Sequence, residues 1–184
     1  SYPEVAAAFE RLAMLGIHES ATGIAVNIHL NKNKARDWLS GHYQLAITKN
    51  SINIDSQDSA GAFYALQSLA SLLTLDSKQV PLVNVEDQPH YDYRGQHVDV
   101  ARNFHSKAFM FALIKQMAAY KLNKLHLHLA EDEGWRLAMP SLPRLTQIGG
   151  KRCLDLSDKH CLQPQLGGGD NSRDGFYSVD DYQD

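Results

Sequence analysis

Cysteine is scarce in this chain: its 184 residues contain two, Cys153 and Cys161. They form no CxxC unit and no Cys/His quartet, which argues against a structural zinc centre. Long apolar runs are missing as well. No stretch of about 18 uninterrupted apolar residues occurs, so no helical membrane span is expected. Basic blocks are also absent. Lys and Arg number 18 against 21 Asp and Glu, a net charge of −3, and that balance does not point to a nucleic-acid partner. The opening residues, Ser1-Tyr2-Pro3-Glu4, include neither an initiator Met nor the charged start and apolar core of a signal peptide. They read as an engineered or proteolytic boundary. What is present is ordinary for a folded chain: hydrophobic residues make up 43%, enough for a core and too many for disorder.

Residues 1–88 read as a small α+β domain. Glu4 to Met14 is Ala-rich, with Val5, Phe9, Leu12 and Ala13 at helical spacing. Ile24, Val26, Ile28 and Leu30 alternate with other residues in a strand pattern, and Tyr43, Leu45 and Ile47 repeat it. A turn is expected at Lys49-Asn50-Ser51, and Ile52 and Ile54 answer on the return strand. Asp58 or Ser59 can cap a helix that presents Ala62, Phe63, Leu66, Leu69, Ala70 and Leu73 along one side. Leu82, Val83 and Val85 form a last short strand. Helix, strand, hairpin, helix, strand fits a sheet with helices on one face.

Asp87-Gln88-Pro89-His90 punctuates the chain, and the pattern changes over residues 89–184. His97 to Ala101 is a strand candidate. Ser106 can cap a helix from about Lys107 to Tyr120, with Phe109, Met110, Leu113, Ile114, Met117 and Ala118 inward. Leu122 to Leu129 is a second strand, which makes a βαβ unit with parallel pairing. A long loop is expected from Glu131 to Tyr177, punctuated by Pro140, Pro143, Gly149-Gly150 and Gly167-Gly168-Gly169. Ser178 then offers a helix N-cap. One βαβ unit cannot close a parallel sheet, whose two faces both need cover, so the sequence reads as truncated at both ends.

The densest polar cluster follows the second of these strands: Glu131, Asp132 and Glu133, then Gly134, Trp135 and Arg136. Ligands bind at the carboxyl edge of parallel α/β sheets, so this acidic turn is a candidate site as well as a candidate solvated loop. The first strand carries Arg94-Gly95 at one end and Asp99 and Arg102 at the other. A guanidinium can clamp sugar hydroxyls through directional donors, and Asp99 with Arg102 can also form an ion pair that holds the strand end. Cys153 and Cys161, eight positions apart in a polar stretch, either close a disulfide in an oxidising compartment or remain two thiols.

These residues resemble glycoside hydrolase family 20. Tyr93-Arg94-Gly95 with Asp99, Arg102 and Phe104 is similar to that family's first barrel strand, and His126-Leu127-His128-Leu129-Ala130-Glu131-Asp132-Glu133-Gly134-Trp135-Arg136 to its second strand and loop. Ile148-Gly149-Gly150-Lys151-Arg152-Cys153 and the stretch to Tyr177-Ser178 resemble the bacterial chitobiase branch. Gly61 to Leu69 is similar to the small α+β domain that precedes the barrel.

The resemblance implies a (β/α)8 barrel, begun here by its first βαβ unit. It implies removal of terminal non-reducing β-linked N-acetylhexosamine from chitobiose-like oligosaccharides, with the substrate's acetamido oxygen as nucleophile and no cofactor. It further implies an Asp–Glu catalytic pair on a later strand. No HxGGDE-like string occurs among these residues, so that pair is expected beyond Asp184 and the 184 residues alone are expected to be inactive. By the same resemblance Arg94 is the arginine that binds the sugar's outer hydroxyls, and Glu131 and Asp132 are an acidic pair near the pocket. Arg94 and Arg102 are eight steps apart, roughly 26 Å at about 3.3 Å per residue. Arg94 would therefore sit low and reach up into a deep pocket. A secreted or periplasmic location is implied, and the unpaired apolar faces of the βαβ unit predict self-association.

Two other classes compete. His126 and His128 share one strand face, a spacing some barrel hydrolases use for zinc, although packing is the alternative. Asp170-Asn171-Ser172-Arg173-Asp174-Gly175 with Asp181 is similar to a calcium loop, but a triple glycine rather than a helix precedes it. A non-catalytic sugar-binding module could use Trp38 and Trp135 as stacking surfaces, or both can be packing residues.

Overall fold

The computed structural model describes residues 3–31, 39–73, 79–153, 155, 157–163 and 174–184. The chain divides into two units. The first comprises Ser1–Arg94 with Ala118–Lys121, and the second Gly95–Met117 with Leu122–Asp184.

The first unit is a four-stranded sheet with two helices, α1 (Pro3–Met14) and α2 (Ser59–Leu72). Its strands are β1 (Ala25–Leu30), β2 (Tyr43–Ile47), β3 (Ser51–Ser56) and β4 (Val83–Asp87), in the order β1-β3-β2-β4. The β2–β3 hairpin occupies the centre because β3 pairs antiparallel with β2 and parallel with β1, while β2 pairs antiparallel with β4. The turn forms where the sequence places it. Thr48 closes it, its Oγ1 accepting from Ser51 N at 3.0 Å and from Asn50 N at 3.3 Å.

Side chains two apart share a face, so Tyr43, Leu45, Ile47, Ile52 and Ile54 are buried together. They pack with Val5, Ala8 and Leu12 of α1 and Ala62, Ala65, Leu66, Leu69 and Ala70 of α2 into one core. Phe9 of α1, apolar in the expected pattern, is instead exposed. Asp58 caps α2 with its Oδ1 accepting from Gly61 N at 2.8 Å, one of the orphan donors of a helix start. Gly61 is required there, since a Cβ would collide with the His42 carbonyl.

The second unit pairs β5 (Gly95–Asp99) with β6 (Lys124–His128), joined by α3 (Lys107–Ala119). The pairing is parallel and in register from Gly95↔Lys124 to Asp99↔His128. Val98, Leu125 and Leu127 turn to one face and pack around Val100, Met110 and Tyr177. Of the α3 residues expected inward, Met110 and Met117 are buried and Leu113 joins the cluster, whereas Phe109 and Ile114 are exposed. A helix apolar around more than one stripe can turn only one stripe to a two-stranded sheet.

The segment read as a long loop contains structure. A short hairpin, β7 (Ala130–Glu131) with β8 (Gly134–Trp135), is followed by α4 (Arg144–Gly149). Both are too short to register as periodicity. Finally α5 (Val179–Gln183) starts with a capping box, Ser178 Oγ accepting from Asp181 N and the Asp181 carboxylate accepting from Ser178 N. No helix among the described residues is long and apolar enough to cross a membrane.

Candidate functional site

The carboxyl ends of β5 and β6 meet at Asp99 and His128, and the polar residues that follow both strands converge there. The backbone N–H groups of Val100 and Ala101 both donate to His128 O at 3.2 Å, which turns the chain off the strand. Asp99 then takes Arg102 in two ways. Its Oδ1 accepts from the Arg102 backbone N at 3.1 Å and its Oδ2 from Nη1 at 2.5 Å. Burial acts to raise the Asp99 carboxyl, but these hydrogen bonds and the charge of Arg102 outweigh it and hold the group below its ordinary value.

The β7–β8 hairpin brings in the acidic cluster. Arg102 Nη2 lies 2.8 Å from Glu131 Oε2, an ionic contact off hydrogen-bond alignment, and Nε lies 3.9 Å from Glu133 Oε1. Glu131 Oε1 accepts from Glu133 N at 2.9 Å, which folds the first acid back over the turn. Burial, followed by a hydrogen bond to Asp132, raises the Glu131 carboxyl above its ordinary value against the pull of Glu133 N–H and Arg102. The Arg102 side chain is 45% exposed, so a guanidinium stands at the carboxyl edge beside the acid. Gly134 allows the hairpin to approach this closely, because a Cβ there would strike the Ala101 carbonyl.

Below the edge lies a buried layer. Arg136 is 0% exposed and donates only to carbonyls: Nε to Val100 O and Ala101 O, Nη1 to Gly150 O and Gly175 O, and Nη2 to Ala101 O, all between 2.9 and 3.2 Å. Burial, then the nearby charge of Arg152, pulls its pKa below the ordinary arginine value. Arg152 donates through Nη2 to Glu133 Oε2 at 2.6 Å and through Nη1 to the Arg102 carbonyl. The segment around Arg152 is itself held. Its N–H donates to Asp174 Oδ1 at 2.8 Å, it bridges to Leu162, and Cys153 next to it is joined to Cys161 with an S–S distance of 2.06 Å.

Of the site residues expected from the sequence, Glu131 and Asp132 stand at the carboxyl edge. They also line one side of an open cleft of about 780 Å³ formed with Trp135, Ser141, Pro143 and Arg144. Arg94 belongs to the first unit, directly ahead of β5, and its guanidinium has acceptors within that unit. Nε donates to Lys121 O at 2.9 Å, Nη1 to Tyr91 O at 2.6 Å and Nη2 to Tyr64 OH at 2.7 Å. The guanidinium beside the acids is that of Arg102, whose signal in the sequence was its place three residues after Asp99, past the strand's carboxyl end.

The remaining candidates are accounted for locally. His97, His126 and His128 gather on one face of β5–β6, with ring centroids 4.8 Å and 6.1 Å from His97. Among the described residues no group of three or more His, Cys, Asp or Glu side chains is arranged to hold a metal ion. Trp135 is partly buried and donates to Leu137 O at 2.7 Å. Trp38 and residues 170–173 of the calcium-loop candidate lie outside the described residues. Asp174 and Asp181 of that candidate serve the Arg152 backbone and the α5 cap.

A small α+β domain followed by a parallel βαβ unit with a charged carboxyl edge is what the resemblance to a glycoside hydrolase family implies, and comparison agrees. Residues 91–184 match the catalytic domain of glycosyl hydrolase family 20, and residues 3–88 match that family's domain 2. The chain belongs to glycosyl hydrolase family 20. It is 53% identical over 181 residues to beta-hexosaminidase B of Pseudoalteromonas piscicida, covering 97% of this chain and 23% of that protein. It is 52% identical over 147 residues to the N,N'-diacetylchitobiase of Vibrio harveyi, covering 78% of this chain and 17% of that one. The crystal structure of a GH20 exo-β-N-acetylglucosaminidase from Vibrio harveyi in complex with N-acetylglucosamine superposes with a TM-score of 0.82. The identity is 31%, over 98% of this chain and 29% of that chain. The chain thus spans about a quarter or less of the length of these curated relatives.

Proposed function

We propose that the full-length protein carrying this segment is a β-N-acetylhexosaminidase. It hydrolyses terminal non-reducing N-acetyl-β-D-hexosamine from chitobiose-like oligosaccharides, by a retaining mechanism in which the substrate's acetamido oxygen is the nucleophile. The observation that carries this reading is the family 20 catalytic-domain match over residues 91–184, coinciding with a guanidinium–carboxylate cluster at the carboxyl edge of β5–β6. Active sites of barrels are built on that edge.

Within the reading, the family resemblance assigns the outer hydroxyls of the terminal sugar to Arg94, and Glu131 and Asp132 lie near the pocket. The Asp–Glu pair that performs the chemistry lies on a later strand, so these 184 residues bind sugar at most weakly and do not turn it over. The Cys153–Cys161 pair forms in an oxidising compartment, periplasmic or extracellular, where chitin-derived oligosaccharides are met. Phe109, Phe111 and Ile114, exposed on α3, make the isolated segment self-associate.

The test is release of p-nitrophenol from its β-N-acetylglucosaminide. Turnover by the full-length protein and none by residues 1–184 is the expected result. Turnover by the 184 residues themselves would place the chemistry inside them and overturn the division of labour. Sugar binding without turnover in the full-length protein would instead make it a binding module.

A further inference from the structure

The Cys153–Cys161 bond closes a loop of eight steps that begins one residue after Arg152. Among the described residues, two backbone hydrogen bonds join its sides, Cys153 N to Leu162 O at 2.9 Å and Leu162 N to Lys151 O at 3.0 Å. A bridge of that size is not an autonomous element, and segments held so lightly open locally at small cost. The covalent bond removes that freedom by limiting how far the two sides can part.

What the loop holds in place is Arg152. Its N–H donates to Asp174 Oδ1 at 2.8 Å, its Nη1 to the Arg102 carbonyl and its Nη2 to Glu133 Oε2 at 2.6 Å. The Glu133 and Arg152 side chains are 2% and 3% exposed. Such a buried pair adds little net stability while intact, yet withdrawing one partner strands the other charge at a large cost. Glu133 belongs to the turn of the β7–β8 hairpin, and its N–H fixes Glu131. Leu162, next to Cys161, lines the same cleft as Glu131 and Asp132. An event at the sulfur atoms is therefore transmitted to the acidic turn. Cys153 is buried and Cys161 partly exposed, so solvent approaches the bond from the Cys161 side.

We propose that the Cys153–Cys161 bond is a redox lock on the candidate site, which is competent with the bond closed and impaired with it open. The opening reaction is thiol–disulfide exchange with a small dithiol. One thiolate of the dithiol attacks Sγ of Cys161, the protein S–S bond breaks, and Cys153 leaves and takes up a proton. The second thiolate then displaces Cys161, so the protein gains two thiols and the dithiol departs as a cyclic disulfide. With the bond open, the Arg152 segment separates from Glu133, and the hairpin carrying Glu131 and Asp132 loses its fixed position. The proposal rests on the reading that these two acids lie near the sugar pocket of a β-N-acetylhexosaminidase.

The experiment is kinetics of the full-length protein on p-nitrophenyl β-N-acetylglucosaminide, before and after incubation with dithiothreitol and again after reoxidation by glutathione disulfide. The Cys153→Ser/Cys161→Ser double variant runs in parallel. Reduction is expected to lower kcat/KM about tenfold, the size of one charge-assisted hydrogen bond, with far-UV circular dichroism unchanged. Reoxidation should restore it, and the double variant should start at the low value and ignore dithiothreitol. If the double variant does not fold, alkylation of the reduced protein followed by peptide mass analysis shows whether loss of activity tracks the opening of this pair. Unchanged kcat/KM with both cysteines alkylated overturns the proposal, as does a folded double variant with wild-type kcat/KM. A loss that comes only with global unfolding, or that dithiothreitol still produces in the double variant, overturns it too. Absence of turnover by the oxidised full-length protein refutes the hexosaminidase reading instead, a result distinguishable from the others.

Discussion

Replacing Arg136 by Met should be among the most damaging single changes in the second unit. The side chain is wholly buried and its donors serve four carbonyls, those of Val100, Ala101, Gly150 and Gly175. Gly150 O also accepts from Gly175 N at 2.8 Å and is not orphaned by the change. The other three carbonyls lose the donors that hold them, and a buried acceptor left without a partner costs about 1–3 kcal/mol. Against that sum stands relief: the guanidinium is disfavoured by burial and by Arg152, and methionine fills most of the volume without that burden. The expected net loss is about 3–5 kcal/mol. Arg136→Lys should recover little, since one ammonium cannot span carbonyls on three segments as the planar fork does. Urea denaturation of the full-length protein, followed by a probe in the barrel, measures the loss. A loss below about 1 kcal/mol for Met, or full recovery by Lys, would refute the claim that the fork is what holds these segments together.

Other consequences are equally direct. Arg94→Ala should lower thermal stability, since its guanidinium donates to Lys121 O, Tyr91 O and Tyr64 OH. On the assignment of Arg94 to the sugar, it should also raise KM for the aryl glycoside in the full-length protein. An unchanged KM would remove Arg94 from the sugar site. Leu66→Ala, at a position 0% exposed in the core of the small domain, should cost about 2–5 kcal/mol in a denaturation series, and a cost below about 1 kcal/mol would contradict the packing described.

Lys121 donates to Asp87 Oδ2 at 2.8 Å and to Tyr43 OH at 2.9 Å. Burial acts to raise the Asp87 carboxyl, but the hydrogen bond and charge of Lys121, helped by Tyr43, hold it below its ordinary value. A depressed carboxyl contributes stability that is present above its unfolded pKa and lost as pH falls through the folded value. Lys121→Met should move the Asp87 titration upward in a carboxyl NMR experiment and remove this share of the acid sensitivity. An unmoved titration would discount the contact.

The elements of the first unit were legible because each has a local signature. Tyr43, Leu45 and Ile47 alternate, Asp58 offers a cap, and Ala62, Leu66 and Leu69 recur at helical spacing, and all of these take the places their pattern implies. The parallel pairing of β5 with β6 followed from the length of the crossover between them. Less legible was α3, since Phe109 and Ile114 fit an inward stripe as well as Met110 and Met117 do, and only the width of the sheet decides which are covered.

The site divides along the same line. Sequence alone determined that acidic residues follow β6, that a guanidinium stands near each end of β5, and that the whole resembles one hydrolase family, because residue identity and order suffice for each. Which partners each guanidinium takes was decided by tertiary structure. Tyr64, Tyr91 and Lys121 claim Arg94, while Asp99 and Glu131 claim Arg102. The same holds for Glu133, Arg136 and Arg152, which in sequence are charged residues of a polar stretch and in the fold are buried beneath the edge. Burial and partnership depend on segments as much as 50 residues apart, as for Arg152 and the Arg102 carbonyl, and no local pattern encodes which of them will meet.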